Sequence, residues 1–259
     1  MSAVATEERA GALWVTLQRE QALNSLDYDV LAGLEAAMDE AESAPGVRVL
    51  VLTGAGRAFC AGADLSLIEG TGAEPGSFED FLAAAGRTLT RLERLPLPTI
   101  AAINGLAVAG GLELVLCCDL AVAAAGAKIG DAHANYGLLP GGGASVRLPR
   151  RVGPALAKQL MFTGAFLEAG ELRHSGLLND VVPAEGLGDA VDELVAEIAA
   201  KSPLGLRRMK QLIDDGLQQP PEVGLRAELS AQSLHGRSAD MAEGLAAFRE
   251  NRDPEFTGQ

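Results

Sequence analysis

Apolar and polar positions along this chain follow two rhythms, and the balance between them changes near residue 182. Before that point, short aliphatic runs suited to buried strands alternate with stretches whose apolar residues recur at helical spacing. Beyond it only the helical rhythm remains. Ala12–Leu17 reads as a first strand and 18–24 as a polar connection. Ser25 or Asp27 then caps a helix carrying Val30, Leu31, Leu34, Met38 and Ala41 on one face. Pro45-Gly46 stops it, and 47–52 is an almost unbroken aliphatic run of the kind found in a sheet covered on both faces. Residues 54–63 are rich in glycine and alanine, and 64–69 read as a short helix. Residues 70–77, GTGAEPGS, are the most loop-like stretch and a candidate mobile flap. An amphipathic helix over 78–95 is closed by Pro96 and Pro98.

Residues 97–124 organise the rest. Thr99–Ile103 is a buried strand, broken by Asn104-Gly105, and Gly110-Gly111 precede Leu112, Leu114, Val115 and Leu116, which suit a buried helix. Lys128–Gly130 is a short strand, and 131–143 is a loop ending in Pro-Gly-Gly-Gly. Helices follow over 154–162 and 168–174, with Gly176 as the terminator of the second, and 178–182 is the last strand. Helices are then predicted over 185–201, Pro203–Gly216, Pro221–His235 and 239–251, with Ser202-Pro203 supplying a cap and a first-turn proline. The pattern gives the α/β class, with a helical C-terminal region.

With 259 residues there is ample chain for a core. Aromatic residues make up only 4% while there are 31 glycines, so small side chains carry close backbone packing. A net charge of −14 argues against general binding to nucleic acid or to a membrane surface, and an anionic ligand would need locally placed Lys and Arg. The three cysteines, Cys60, Cys117 and Cys118, have neither metal-type spacing nor a framework of pairs, which suits reduced thiols in a cytoplasmic protein. Residues 1–11 are polar and acidic without the apolar stretch of a signal peptide, and no run approaches the ~20 apolar residues of a membrane span. There is no phosphate-binding G-x-x-x-x-G-K-[ST] loop, no dinucleotide fingerprint and no metal-ligand spacing.

The chemistry points elsewhere. A glycine pair at a helix mouth lets backbone N–H groups approach a ligand, with the positive end of the helix dipole behind them. Glu113 follows within the first turn, so its carboxylate lies beside that mouth; the same residues also suit the start of an ordinary buried helix. A second small-residue bend, Phe59-Cys60-Ala61-Gly62-Ala63-Asp64, also follows a buried strand. Parallel neighbouring strands would bring both bends to one sheet edge. Two converging N–H groups would there form an oxyanion hole for a thioester enolate or tetrahedral oxygen.

These residues belong to a longer pattern: QREQALNSL (18–26), LTGAGRAFCAGADL (52–65), PTIAAINGLAVAGGLEL (98–114), CDLAVAA (118–124), GLLPGGG (137–143) and FRENRDPEF (248–256). In this order and spacing the chain resembles the crotonase, or enoyl-CoA hydratase/isomerase, superfamily over nearly all of residues 13–256. The resemblance implies a spiral of strand–strand–helix units over 1–200. It further implies a helical region over 201–259 that packs homotrimers, often paired into hexamers. It implies an acyl-CoA thioester substrate, with coenzyme A as part of that substrate and no other cofactor or metal. It places the oxyanion donors on the N–H groups of Ala63 and Gly110, and the adenine near Ala22, Leu23, Ala61, Asp64 and Leu65. The acyl chain then passes residues 67–81, and Glu113 takes the place of the first catalytic glutamate.

The departure from that pattern is His133, which falls where two-glutamate hydratases carry their second glutamate. A neutral imidazole can take a proton from water and an imidazolium can donate one, without reproducing a glutamate's charge or reach. His133 is therefore read either as an acid/base or as a polar residue lining a pocket that has lost its second catalytic group. Asp131 is close enough in sequence to orient it. Gly141 stands where some members carry an aspartate. Asp64 is expected as a cap or turn residue, Asp119 as a tie between a helix end and a strand, Tyr136 as a packing residue, and His174 and His235 as solvated. Arg19, Arg57 and Lys210, with Arg249 and Arg252 of a neighbouring subunit, are the candidates for coenzyme A phosphates, each also readable as an ordinary surface charge, and Glu20 replaces the family's usual proline after Arg19. The leading reading is hydration of the 2,3 double bond of an enoyl-CoA. Isomerisation or hydrolysis using Glu113 and His133 is the alternative on the same scaffold, and a non-catalytic acyl-CoA binder is the alternative from another class.

Overall fold

The computed structural model describes residues 2–68 and 78–259. Its first strand, β1 (Val4–Arg9), pairs antiparallel with β2 (Ala12–Leu17). After a 3₁₀ turn at Glu20–Ala22 comes α1 (Tyr28–Ser43), then β3 (Val49–Gly54), β4 (Ala58–Cys60), α2 (Leu65–Ile68) and α3 (Phe78–Glu93). Next are β5 (Thr99–Ile103), β6 (Leu106–Val108), α4 (Gly110–Cys117), β7 (Leu120–Ala124) and β8 (Lys128–Gly130). A 3₁₀ turn at His133–Tyr136 leads to α5 (Ala144–Thr163), β9 (Phe166–Glu168), α6 (Ala169–Leu172) and β10 (Asp180–Val182). The chain closes with α7 (Leu187–Ala199), α8 (Pro203–Gly216), α9 (Pro221–His235) and α10 (Ala239–Glu250).

Two sheets result. The larger runs β1-β2-β3-β5-β7-β10, parallel from β2 onward, and the smaller runs β4-β6-β8-β9, parallel except for β9. Each of β3, β5 and β7 passes directly into a strand of the smaller sheet, so the repeat is strand–strand–helix, as expected. The aliphatic runs explain the layering. Leu50, Val51 and Leu52 of β3 and Ile100 to Ile103 of β5 are almost wholly buried on both faces. Helix α1 covers this sheet with Val30, Leu31, Leu34, Met38 and Ala41, all buried as the spacing predicts, and is capped by Asp27 rather than Ser25. The Asp27 Oδ1 accepts Val30 N–H at 2.8 Å. Burial of each large aliphatic side chain contributes roughly 2 kcal/mol.

The differences from expectation fall on short or charged elements. Strand β1, VATEER, was not expected; it is an edge strand that needs only backbone pairing with β2, and one face carries charge into solvent. The three-residue strands β4, β6 and β9 are too short to show a period. Helix α5 begins ten residues before the expected 154, and Gly153, at φ +78°, breaks it so that Pro154 opens a new helical segment. The expected flap at 70–77 lies outside the described residues. Among the described residues, no helix is long and apolar enough to cross a membrane.

Candidate active site

The two small-residue bends meet. Leu26 N–H donates to Gly62 O at 2.7 Å and Asp64 N–H to Leu26 O at 2.9 Å, so 61–64 lies as a short parallel rung beside 23–26. Ala61 N–H donates to Leu23 O at 3.0 Å. This brings together Ala22, Leu23, Ala61 and Asp64, four of the residues expected near the adenine, with Leu65 opening α2 immediately after them. Asn24, fully buried, fixes the same corner: its Oδ1 accepts Arg19 N–H at 2.9 Å, and its Nδ2 donates to Ala55 O and Ala58 O at 2.9 and 2.8 Å. Its role was missed in the sequence, because a polar residue in a polar connection carries no mark of burial.

Gly62, at φ +102°, packs on the other bend so closely that a Cβ there would lie 2.9 Å from Ala109 Cβ and 3.3 Å from Gly110 N. A Cβ on Gly110 would lie 3.4 Å from the Gly62 carbonyl carbon, to which Ala63 N is bonded, and one on Gly111 would lie 2.0 Å from Cys60 O. The Ala63 and Gly110 amides are therefore neighbours, and among the described residues neither has a hydrogen-bond acceptor in the protein. Ala109 turns the chain into α4 at φ 51°, ψ −119°, a conformation that costs a non-glycine residue of order 1–3 kcal/mol.

Glu113 stands in the first turn of α4, and its N–H donates to Ala109 O at 3.0 Å. The residue is only 3% exposed, and its Oε1 accepts Gly142 N–H at 2.8 Å and Ala144 N–H at 3.0 Å. These amides open α5, so the Pro-Gly-Gly-Gly turn is the cradle of the carboxylate. A Cβ on Gly142 would lie 2.6 Å from Glu113 Oε2. Burial raises the Glu113 carboxyl above its ordinary range; the Ala144 and Gly142 amides and His133 oppose that rise, and Asp131 adds to it. The Gly142 carbonyl is held in turn by Arg147 Nη1 at 2.6 Å, and Arg147 is gripped by both Glu93 oxygens at 2.9 and 2.7 Å.

His133 opens a 3₁₀ turn reached through Ala132, at φ 65°. Its Nδ1 lies 3.1 Å from Asp131 Oδ1, close enough for an ion pair but off the line of a well-formed hydrogen bond. Burial alone would push the imidazole pKa down, but Asp131 and Glu113 outweigh it and the net direction is up. His133 and Glu113 thus feel each other's charge, as a working acid–base pair would.

Other candidates go to structural roles. Arg19 is bound to Asp27 at 3.0 Å and Asp64 at 2.8 Å, Lys210 to Asp119 at 2.8 Å, and Arg252 to Glu243 and Glu250 at 2.6 and 2.7 Å. Their cationic heads are each paired with a carboxylate of this chain, as ordinary charge pairs are. Arg57 and Arg249 are exposed. Asp64 is a turn residue, accepting Ser66 N–H at 3.1 Å, and although burial opposes it, Arg19 and Ser66 hold its carboxyl below the ordinary range. Asp119 ties β5 to the end of α4 through Thr99 N–H, at 2.8 Å. Tyr136 is 70% exposed in this chain, which corrects its expected packing role. Leu82 lies where a Cβ on Gly141 would go, within 2.5 Å, so this chain fills the aspartate's place with a leucine methyl. Burial pushes the Cys60 thiol up to about 12, leaving it neutral behind the bend. Among the described residues, no cluster of His, Cys, Asp and Glu is spaced to hold a metal.

Comparison with known proteins points to one family. The family model described as enoyl-CoA hydratase/isomerase matches residues 7–259. A crotonyl-CoA hydratase of Syntrophomonas wolfei is 35% identical over 251 residues, covering 96% of this chain and 95% of its own. The mitochondrial methylglutaconyl-CoA hydratase of Rattus norvegicus is 35% identical over 258 residues, covering 98% of this chain and 81% of its own. The crystal structure of an enoyl-CoA hydratase from Bacillus anthracis superposes with a TM-score of 0.94 at 36% identity, covering 99% of this chain and all of that one. Matched in fold, length and sequence, the chain belongs to the enoyl-CoA hydratase/isomerase family.

Proposed function

We propose that this protein is an enoyl-CoA hydratase, adding water across the 2,3 double bond of an enoyl-CoA. The observation that carries the reading is the meeting of two amides, Ala63 and Gly110, which have no acceptor among the described residues, beside the buried Glu113 carboxylate. The thioester carbonyl accepts from both amides. They hold it more strongly as the enolate, whose oxygen carries the developing charge, and removing one donor of this kind costs about 3–4 kcal/mol in the transition state.

Glu113 supplies the base. Its Oε1 is engaged by Gly142 and Ala144, which leaves Oε2 to take a proton from water as the water oxygen bonds to Cβ. The double-bond electrons move to the carbonyl oxygen, and collapse of the enolate takes a proton at Cα from the His133 imidazolium. Proton return from Glu113 to His133 resets the pair. Coenzyme A enters as part of the substrate, its adenine beside Ala22, Leu23, Ala61, Asp64 and Leu65 and its phosphates nearest Arg57. Residues 201–259 form the proposed trimerisation region, supported by apolar side chains left exposed on α8–α10, among them Ile213, Leu229 and Phe248. A cytoplasmic location is supported by three free, buried thiols.

Mass analysis of products from short, branched and aromatic enoyl-CoAs tests the activity. Wild type is expected to add one water, and Glu113→Gln to lose roughly 10²- to 10⁴-fold in kcat with little change in KM. An unchanged mass with a shifted double bond would make the protein an isomerase. Binding without turnover, indifferent to Glu113, would make it an acyl-CoA binder.

A further inference from the structure

Asp131 is a carboxylate with no evident task in folding. It is 1% exposed, its Oδ2 has no hydrogen-bond partner among the described residues, and its Oδ1 lies at ion-pair distance, 3.1 Å, from His133 Nδ1, off the line of a well-formed hydrogen bond. A carboxylate so placed costs several kcal/mol of desolvation unless a cation compensates it. The backbone between the two residues is bent to suit: His133 N–H donates to Asp131 O at 2.9 Å, and Ala132 is held at φ 65°. Among the described residues, the neighbouring charges offer no other free cation. Helix α4 contributes Glu113 alone. On α5, Arg147 is engaged by Glu93 and Gly142 O, Arg150 by Val146 O, and Arg151 by Cys118 O and Asp119 O, while Lys158 and, on β8, Lys128 are exposed.

We propose that Asp131 is a positioning residue which pairs with the Nδ1 edge of His133 and sets the ring's orientation, so that the second acid–base unit is an Asp131–His133 pair. This rests on the hydratase reading given above, and it names how a histidine does the work there. An Asp131 grip on Nδ1–H fixes the ring plane and leaves Nε2–H free to face the substrate. The carboxylate also strengthens the ring's hold on its proton, and the donated proton passes from Nε2 to Cα of the enolate without any co-reactant beyond the water already consumed.

Nuclear magnetic resonance on protein with ¹⁵N-labelled histidine tests this, with turnover measured in parallel. The chain has only 3 histidines, so His133→Gln assigns the signal. In wild type the His133 ring is expected to titrate above 6.5, and in Asp131→Asn its midpoint is expected to fall by at least one unit. The alkaline limb of kcat should fall with it, while KM for crotonyl-CoA holds. A wild-type ring titrating at or below 6.5, which needs no variant to observe, overturns the proposal. So does an Asp131→Asn enzyme with a wild-type pH profile, whatever its ring does. Failure of the hydratase reading itself shows separately, as absence of turnover in wild type.

Discussion

At the residue scale the site rests on backbone geometry more than on side-chain identity. In the proposed site Ala63 and Gly110 act through N–H groups, and the closeness of the bends shows in Gly110, where a Cβ would lie 3.3 Å from Gly62 Cα. The close approach of the two bends was legible in the sequence, because glycine and alanine after aliphatic runs mark close approach. The partners of Glu113 were not, since Gly142 and Ala144 reach it across 29 and 31 residues. Nor could the sequence show that Arg19 and Lys210 spend their charge on Asp27, Asp64 and Asp119. The raised carboxyl of Glu113 carries a stability consequence with a definite sign. Its folded pKa lies above the ordinary 4.5, so the folded state binds the extra proton and stability falls as pH rises from 4.5 through the raised value. Glu113→Gln, which keeps an oxygen for the two amides, is therefore expected to be more stable than wild type at pH 8, with the gain vanishing below pH 4.5, as read by urea unfolding at both ends. Activity has the complementary shape. It rises through the Glu113 value, above 4.5, and falls through the His133 value, above 6.5.

Among the elements, the long apolar ones declared themselves and the short ones did not. Thr99–Ile103, Pro203–Gly216 and Pro221–His235 stand where their patterns place them, and Ser202 caps α8 by accepting Gly205 N–H at 2.9 Å. Strands β4 and β6, which precede the two bends, have three residues each and owe their conformation to neighbours rather than to their own pattern. The start of α5 deserves a test because it carries the Glu113 cradle. Arg147 links α3 to that turn, taking Glu93 with one edge and the Gly142 carbonyl with Nη1. Arg147→Ala is expected to cost about 1–2 kcal/mol in urea unfolding, since the pair is partly screened by solvent. It is also expected to lower kcat several-fold more than it raises KM, because Gly142 N–H no longer holds Oε1 in place. Equal loss in both constants would show that the turn does not need this support.

For the whole molecule, the spiral explains why the site lies where it does. Strands β3, β5 and β7 of the large sheet each turn into a strand of the small one, so successive bends stack at one edge and the helix mouth of α4 opens among them. The C-terminal helices depart from the rest of the fold in having little core of their own. Helix α9 buries no residue, and Leu225, Leu229 and Leu234 are 61–72% exposed. An apolar surface of this extent suits contact between copies. Light scattering on the full chain is expected to give a trimer or hexamer, and Leu225→Asp with Leu229→Asp to shift it toward monomer; a monomeric wild type would remove the proposed role of residues 201–259.

The most direct measurement is a crystal structure of this protein with a saturated acyl-CoA, which binds the site without reacting. The thioester oxygen is expected about 2.7–3.1 Å from both Ala63 N and Gly110 N, with Glu113 Oε2 facing Cβ. A carbonyl seated away from either amide, or an acyl chain that never passes Glu113, would contradict the assignment of the site.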